Sequence, residues 1–461
     1  MLFSSIPFLY YFLPAVILLY FLVPRKLKNT VLLLFSLGFY AWGEPKYVLL
    51  MLLTVVAFYA CGLAIGKAKP NGWKKRWLWV SVAVGIGFLA VFKYADFFID
   101  SFNQATGLGI PLLRLALPIG ISFYTFQGLS YTVDVYRGNV PVQKNPISFA
   151  AYVTLFPQLI AGPIVRYADV ARELDHRSHN WENIILGIRR FLLGLGKKVL
   201  IADQFALLIK LFRDSQAPSV LFYWLYAIAF MLHIYFDFSG YSDMAIGLGR
   251  IFGFHFRENF NYPYVSRSVT EFWRRWHMSL GSWFRDYVYI PLGGNRVSRG
   301  KWVRNILVVW LLTGLWHGAA WNFVLWGLLF AVLLLTEKWI PALQRLPNIL
   351  CHSYVLLLIC ISFVLFNAKD LAQAGSDLKG MFGLLHLPFS TGETLYYLQS
   401  YGVLFIAGIL GATPLVKRAA LRLNQTTLGA MLEPLLLGAV LLLCTAYLVD
   451  GSFSPFLYFR F

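Results

Sequence analysis

Charged residues are scarce in this chain, and acidic residues are the scarcest of them. Only 13% of the 461 residues are charged, with 21 Asp and Glu against 40 Lys and Arg, whereas 59% are hydrophobic. A soluble domain is about one quarter charged. Long uncharged runs recur along the whole chain. We therefore predict an all-α polytopic membrane protein whose first partner is the lipid bilayer, and not a soluble enzyme or a nucleic-acid-binding protein.

The excess of basic residues has an ordinary explanation in such a protein. Lys and Arg concentrate in the cytoplasmic loops of membrane proteins, next to anionic lipid headgroups. We assign most of the formal charge of +19 to such loops. Part of it could also attract an acidic or phosphate-bearing donor.

Cysteine is scarce as well. Its four occurrences are scattered, mostly in apolar runs, and form no CxxC pair: Cys61, Cys351, Cys360 and Cys444. We expect no metal site, no bound cofactor and no required disulfide. The first apolar run, residues 8–23, lacks a basic leader and a small-residue cleavage site, which favours a retained helix over a cleaved signal peptide.

Apolar runs long enough to cross a bilayer, about 20 residues each, occur from end to end. They begin near residues 6, 30, 47, 77, 111, 219, 303, 321, 353, 400 and 431. We predict roughly ten to twelve crossings in a single integral membrane domain over residues 1–461, with N-terminal helices in 1–110, a motif-bearing core in 111–336, and C-terminal helices and a tail in 337–461.

Basic loops give the predicted orientation. Arg25, Lys26 and Lys28 follow the first helix, and a second basic cluster between Lys67 and Arg76 follows the third. Because such loops stay in the cytoplasm, the N-terminus should be extracytoplasmic. The section 183–211 is helical but carries "RR" and "KK", so we expect it to lie partly at the membrane interface.

Two apolar segments are unlike simple spans. Residues 152–167 contain two prolines and a glycine, and residues 233–249 contain Asp237 and Asp243 with glycines between them. Irregular backbone at membrane depth is tolerated only where protein or a water-filled cavity covers it. We therefore predict re-entrant segments around a central polar funnel.

One histidine stands in an almost wholly apolar run, "LLTGLWHGAAWNFVLWG" at residues 311–327. A buried histidine is commonly structural, but polar residues inside a membrane are costly and suggest function. The small residues that follow His317, from Gly318 to Ala320, should leave room for a ligand, with Trp316 and Asn322 lining the pocket. A neutral imidazole can take a proton from a hydroxyl near neutral pH, so His317 is the predicted general base.

A basic and aromatic window covers residues 257–304, with nine Lys or Arg and three Asp or Glu. Such a composition is typical of an amphipathic belt at the membrane interface. His277 stands out because "WRRWH" places it next to Arg274 and Arg275. Residues 291–295, "PLGGN", predict a tight turn that returns the chain to the bilayer.

Five stretches carry a resemblance to a known family: residues 117–138, 155–167, 234–249, 271–296 and 314–327. Together they resemble the membrane-bound O-acyltransferase superfamily and, within it, the bacterial branch that O-acetylates alginate. The resemblance implies a multi-helix fold with a funnel across the bacterial plasma membrane. It also implies that His317 matches the family's near-invariant histidine and His277 its second one. His233 stands where a neutral polar residue such as Gln is expected, and we interpret it as structural.

The resemblance also implies the reaction. An acyl group, most simply acetyl, moves from acetyl-CoA or an acylated carrier protein to a hydroxyl that serves a cell-surface polysaccharide. The donor would meet Arg274, Arg275, Arg285 and Lys301 on the cytoplasmic side. His277 would orient donor or acceptor, or hold the first proton. The D-alanyl transferases of teichoic acid share the histidine pair, so aminoacyl transfer from a carrier protein is an alternative.

The tail and the partners are further expectations. The aromatic end "DGSFSPFLYFRF", residues 450–461, is either an interfacial anchor or a transient acyl carrier through Tyr458. Because the outward loops are short, we expect a separate extracytoplasmic acetyltransferase and polysaccharide machinery as partners. Two non-catalytic alternatives are a flippase of a lipid-linked glycan and an inactive scaffold.

Overall fold

The computed structural model describes residues 2–68, 72–160 and 162–451. Within these ranges the chain is helical and contains no strand, which confirms the predicted all-α class. The chain divides into two compact units. The first comprises Met1–Phe191 and Ser242–Glu258, and the second comprises Leu192–Tyr241 and Asn259–Phe461.

The first unit contains nine α-helices in its described part, together with parts of two longer ones. They are α1 (Leu13–Leu22), α2 (Lys28–Gly43), α3 (Val48–Lys67), α4 (Trp73–Leu89), α5 (Ala95–Thr106), α6 (Ile121–Arg137), α7 (Pro146–Thr154), α8 (Phe156–Leu159) and α9 (Tyr167–Asp175), with the first part of α10 (Trp181–Gly196) and the last part of α12 (Val220–Ile251). Short 3₁₀ turns occur at Arg25–Leu27 and Pro45–Tyr47, and π-helical turns at Phe8–Phe12 and Ala90–Tyr94.

The second unit contains the rest of α10, the rest of α12, and the remaining helices. In its described part these are α11 (Asp203–Asp214), α13 (Val269–Arg275), α14 (Met278–Phe284), α15 (Arg299–His317), α16 (Trp321–Trp339), α17 (Asn348–Asn367), α18 (Leu371–Met381), α19 (Gly392–Gly411), α20 (Leu415–Asn424) and α21 (Thr427–Val449). The π-helical turns are Lys197–Ala202 and Arg285–Tyr289, and the 3₁₀ turns are Pro263–Val265 and Pro341–Arg345.

Seven helical stretches in the described residues are long and apolar enough to cross a membrane. They are Pro45–Lys67, Trp73–Thr106, Val220–Ile251, Trp321–Trp339, Asn348–Asn367, Gly392–Gly411 and Thr427–Val449. Phe8–Leu22 is a shorter apolar helix. The chain is therefore a multi-pass membrane protein, and the predicted count of ten to twelve crossings stays a prediction.

One predicted start is wrong. No helix begins near residue 111, because the chain is non-helical from residue 107 to residue 120 and α6 starts only at Ile121. Pro111 and Pro118 explain the difference, since proline lacks the backbone N–H that a helix interior needs. Gly120, which has a φ of 76°, then begins the turn into α6.

The expected irregular backbone at 233–249 is also wrong, because α12 runs unbroken from Val220 to Ile251. Its glycines serve close packing instead. A Cβ on Gly240 would lie 2.8 Å from the carbonyl oxygen of Gly194, and a Cβ on Gly247 would lie 2.6 Å from that of Gly187. Small residues of this kind let helix backbones approach each other in membranes.

The two aspartates of α12 pair with the basic residues that we expected near the interface. In the second unit, Lys198 Nζ lies 2.7 Å from Asp203 Oδ1 and 2.7 Å from Asp237 Oδ1, and all three side chains are buried. In the first unit, Arg190 lies 2.8 Å from Asp243. Lys198 therefore belongs to the protein interior, where a charge needs a partner of opposite sign.

The other irregular segment, residues 152–167, is confirmed. Helix α7 ends at Thr154, α8 lasts four residues, and none of the residues that the structure describes between α8 and Tyr167 is helical. Side chains satisfy part of this backbone: Ser36 Oγ accepts from the Phe156 N–H at 3.0 Å, and Gln158 Nε2 donates to the Tyr152 carbonyl at 2.5 Å. Protein groups thus cover part of this irregular backbone, as is needed for non-helical backbone at membrane depth.

Candidate active site

His277 lies at the junction between α13 and α14, in the second unit. Its φ is 43°, in the left-handed region, which is uncommon for a residue with a side chain. The imidazole is 1% exposed, and its Nδ1 lies 3.1 Å from Asn259 Oδ1. Burial lowers the pKa of His277 to about 3, so the ring is neutral near pH 7.

The segment that carries His277 is fixed at its start by a buried carboxylate. Glu337 of α16 accepts hydrogen bonds from the backbone N–H groups of Val269 at 2.5 Å and Thr270 at 2.9 Å. It also accepts from the hydroxyls of Thr270 and Tyr354. A carboxylate at a helix N-terminus is stabilising, because it meets unsatisfied N–H groups and the positive end of the helix dipole.

His317 is the last residue of α15 and is 2% exposed. Aromatic rings surround it: the centroids of Trp316, Trp326 and Phe366 lie 4.9, 5.0 and 5.3 Å from the imidazole centroid. The predicted burial in an apolar environment is confirmed. The catalytic role of His317 stays a prediction.

The hairpin between α15 and α16 explains this placement. A Cβ on Gly314 would lie 2.3 Å from the Phe323 carbonyl oxygen, and one on Gly327 would lie 2.3 Å from that of Trp310. The two helices therefore pack backbone against backbone just before and after His317. The room expected beside Gly318 is taken, because a Cβ there would lie 2.3 Å from the Phe323 ring.

The two predicted histidines, His277 and His317, both lie next to the side chain of Trp316. The Trp316 indole centroid lies 5.6 Å from the His277 ring and 4.9 Å from the His317 ring. Trp316 itself is 5% exposed. The buried rings of His277 and His317, which are far apart in the sequence, thus both contact the Trp316 indole. The sequence alone did not predict this arrangement.

Asn322, at the start of α16, is buried, and its amide is partly used for structure. Its Nδ2 donates to the Ala368 carbonyl at 2.9 Å, which ties the start of α16 to the residue after α17. Its Oδ1 is buried and accepts no hydrogen bond from the residues that the structure describes. The amide therefore retains one acceptor, as a pocket-lining residue would need.

The basic residues predicted to meet the donor differ in their surroundings. Arg275 is paired with Glu271 at 2.8 Å and donates to the Asn261 carbonyl at 3.1 Å. Arg285 is exposed and bonds to Asp286 at 2.7 Å. Arg274 and Lys301 are exposed. Donor binding by these residues stays a prediction, and the guanidinium groups of Arg275 and Arg285 are both already engaged with carboxylates.

Several residues around the histidines escaped the sequence reasoning. Asn259 contacts His277 from a non-helical segment, Phe238 of α12 places its ring 4.7 Å from the same imidazole, and Trp326 and Phe366 enclose His317. Asn259 had no motif to mark it. Trp326 was within the run around His317, but it lies on α16, beyond the break that ends α15, so the folded hairpin and not a helical spacing brings it to the ring.

Other expectations concern different parts of the chain. Tyr458 lies outside the described residues. His233 Nδ1 lies 2.9 Å from the Ala202 carbonyl oxygen, which supports its structural interpretation. All four cysteines are buried free thiols. No group of three or more His, Cys, Asp or Glu suited to a metal ion occurs in the described ranges.

Helices of bilayer-spanning length and a pair of buried imidazoles define a multi-pass membrane protein with a histidine-based candidate site. The MBOAT, membrane-bound O-acyltransferase family, matches residues 108–369 of the chain, a range that includes both histidines. The chain belongs to the membrane-bound O-acyltransferase family, and it is an O-acyltransferase.

Three relatives are similar over most of the chain. The probable alginate O-acetylase of Pseudomonas aeruginosa is 45% identical over 83% of this chain and 75% of its own. The probable alginate O-acetylase of Azotobacter vinelandii is 40% identical over 100% of both chains. The peptidoglycan O-acetyltransferase of Helicobacter pylori is 37% identical over 83% of this chain and 80% of its own.

Proposed function

We propose that this protein moves an acetyl group from a cytoplasmic thioester to a hydroxyl that serves polysaccharide O-acetylation outside the plasma membrane. The names of the three relatives, two probable alginate O-acetylases and a peptidoglycan O-acetyltransferase, support the acetyl group and the polysaccharide class. The observation that carries the proposal is the pair of buried imidazoles, His277 and His317, in contact with the same Trp316 indole.

The chemistry assigned to this pair is general-base acyl transfer. His317 takes the proton from the accepting hydroxyl while its oxygen attacks the thioester carbonyl carbon. The new C–O bond forms, the C–S bond breaks, and the proton passes from the imidazolium to the leaving thiolate. The aromatic surroundings of His317 favour this role, because a dry environment keeps an imidazole neutral until it receives the proton.

His277 is the second residue of the proposed mechanism. Its ring is neutral and its orientation is fixed by Asn259, so it can accept a hydrogen bond from a substrate hydroxyl and hold that hydroxyl in place. Trp316 and Asn322 line the site between and beside the two rings. Arg274, Arg285 and Lys301 supply positive charge for donor phosphates or for an acidic carrier protein.

Purified protein in liposomes tests the proposed activity. With labelled acetyl-CoA or labelled acetylated carrier protein outside, the protein should release thiol, and it should label the hydroxyls of a soluble glycan once the extracytoplasmic acetyltransferase is added. The better of the two donors identifies the physiological class. Movement of a lipid-linked glycan across the bilayer with no loss of thioester would contradict the proposal and favour a flippase.

The location and the partners form part of the same proposal. We place the N-terminus outside the plasma membrane and the basic loops in the cytoplasm. A tag at the N-terminus should then be accessible to antibody in intact spheroplasts. A separate extracytoplasmic acetyltransferase would complete delivery to the polymer, and Tyr458 would carry the acyl group on the way. Acetyl-tyrosine on tail peptides after incubation with donor would support that relay, and full export by Tyr458→Phe would end it.

A further inference from the structure

Asn259 makes an unusual number of contacts for a residue in a non-helical segment. It is 1% exposed and lies between α12 and the 3₁₀ turn Pro263–Val265. Its Oδ1 lies 3.2 Å from the Ser279 backbone nitrogen, 2.9 Å from Ser279 Oγ and 3.1 Å from His277 Nδ1. Its carbonyl oxygen accepts from the Met278 N–H at 2.9 Å. One asparagine thus holds three consecutive residues, 277 to 279.

These contacts establish which end of the Asn259 amide faces the histidine. The backbone N–H of Ser279 can only donate a hydrogen bond, so the amide atom facing it must be the oxygen. The reverse orientation would place an NH₂ group against an N–H group. An amide oxygen can only accept, so the His277 nitrogen that shares it must donate.

These contacts determine which ring nitrogen of His277 carries the proton. A neutral imidazole carries one N–H, and the contact with Asn259 Oδ1 requires that this N–H be on Nδ1. The lone pair then resides on Nε2. The same contacts also hold the left-handed backbone of His277. A backbone of this kind, with a φ of 43°, costs about 1–3 kcal/mol and persists only where the surrounding structure fixes it.

We infer that Asn259 is a positioning residue for acyl transfer, which fixes His277 as the Nδ1–H tautomer and so presents Nε2 as a hydrogen-bond acceptor to the reacting groups. The catalytic part of this inference rests on the proposed function. The tautomer itself rests only on the contacts of Asn259. The Phe238 ring, whose centroid lies 4.7 Å from the imidazole centroid, and the Trp316 indole restrict the rotation of the same imidazole.

Nitrogen NMR on the full-length protein in detergent tests the tautomer directly. The eight histidines can be labelled with ¹⁵N, and the signal of His277 is the one lost in a His277→Gln variant. We expect a protonated Nδ1 and an unprotonated Nε2 in the wild-type protein near pH 7. A protonated Nε2 would overturn the inference, whatever the protein catalyses.

Substitutions of Asn259 separate positioning from folding. Asn259→Asp keeps an acceptor oxygen, so it should keep the Nδ1–H tautomer and most of the acyl transfer. Asn259→Leu removes the acceptor, so the tautomers should mix and kcat should fall about 10- to 100-fold with little change in KM. Ser279→Ala is the matched control, since it removes one donor from Asn259 Oδ1 and the weak 3.5 Å contact of Ser279 Oγ with His277 Nδ1, and leaves the bond between His277 and Asn259.

The outcomes distinguish this inference from the proposed function. Full turnover in Asn259→Leu, with the Nδ1–H tautomer unchanged, would overturn the positioning role. Loss of turnover that Asn259→Asp does not restore, in a correctly folded protein, would also contradict it. If His277→Gln itself keeps full turnover, the proposed role of His277 fails, and the NMR result still decides the tautomer.

Discussion

His277 and His317 are both buried imidazoles, yet their surroundings differ. His277 has a polar neighbour, Asn259, and a neutral ring with an assigned proton. His317 is enclosed by the rings of Trp316, Trp326 and Phe366. The burial of His317 could be predicted, because its apolar run left it little chance of reaching water. The role of Asn259 could not, because it lies 18 residues from His277 and depends on how a non-helical segment folds back.

The neutral state of His277 predicts a pH effect on stability. Its pKa in the folded protein is about 3, below the ordinary 6.5, because burial disfavours the charged ring. As the pH falls below 6.5 the unfolded chain takes up a proton that the folded protein does not, so stability falls until about pH 3. His277→Gln should therefore lose less stability between pH 7 and pH 5 than the wild-type protein.

Thermal unfolding in detergent at the two pH values measures this difference. His176→Gln is the matched control, because it is the same substitution at an exposed histidine. Equal losses in wild-type and His277→Gln protein would show that His277 is not held neutral.

At the scale of the helices, glycine was the residue most often misinterpreted. The glycines of α12 suggested a broken segment, whereas they mark close contact with α10. Sequence periodicity gives the face of a helix but not its partner, so it cannot distinguish a break from a packing surface. The prolines and glycine of 152–167 were interpreted correctly, because a proline within a helix removes a hydrogen bond wherever the partner lies.

Gly247→Ala should destabilise the first unit. The new Cβ would lie 2.6 Å from the Gly187 carbonyl oxygen and 2.7 Å from the Phe191 nitrogen, and backbone atoms cannot move aside as a flexible side chain can. We expect a loss of about 1–3 kcal/mol, measured as a lower unfolding midpoint in detergent. Gly438→Ala in α21 is the control, because its Cβ meets nothing within 4 Å. Equal midpoints for the two variants would refute the packing explanation.

Lys198→Met should destabilise the second unit more strongly. It would leave Asp203 and Asp237 buried without their cation, and breaking a buried ion pair on one side costs about 3–5 kcal/mol. Adding Asp237→Asn to Lys198→Met should restore part of the loss, because it removes one uncompensated charge. The unfolding midpoints of both variants check this, and a double variant no more stable than the single one would contradict it.

At the scale of the whole molecule, composition predicted most of what the structure shows. Apolar residues remain exposed on the outer helices: only 6% of the apolar window of Thr427–Val449 is buried, against 72% for Val220–Ile251. Such exposed apolar faces suit the hydrocarbon of a bilayer. The order of most spans was predicted for the same reason, since length and hydropathy are local properties. The place of α6 was not, because two prolines delay a helix that hydropathy alone would start earlier.

The central claim is that His317 removes the proton from the accepting hydroxyl, and acetyl transfer in proteoliposomes tests it most directly. His317→Ala and His176→Ala, each checked for insertion and unfolding midpoint, would be compared with the wild-type protein for release of thiol from labelled acetyl-CoA. We expect His317→Ala to lose about 10²–10⁴-fold in turnover, while His176→Ala keeps the wild-type rate. Wild-type turnover by correctly folded His317→Ala protein would contradict it.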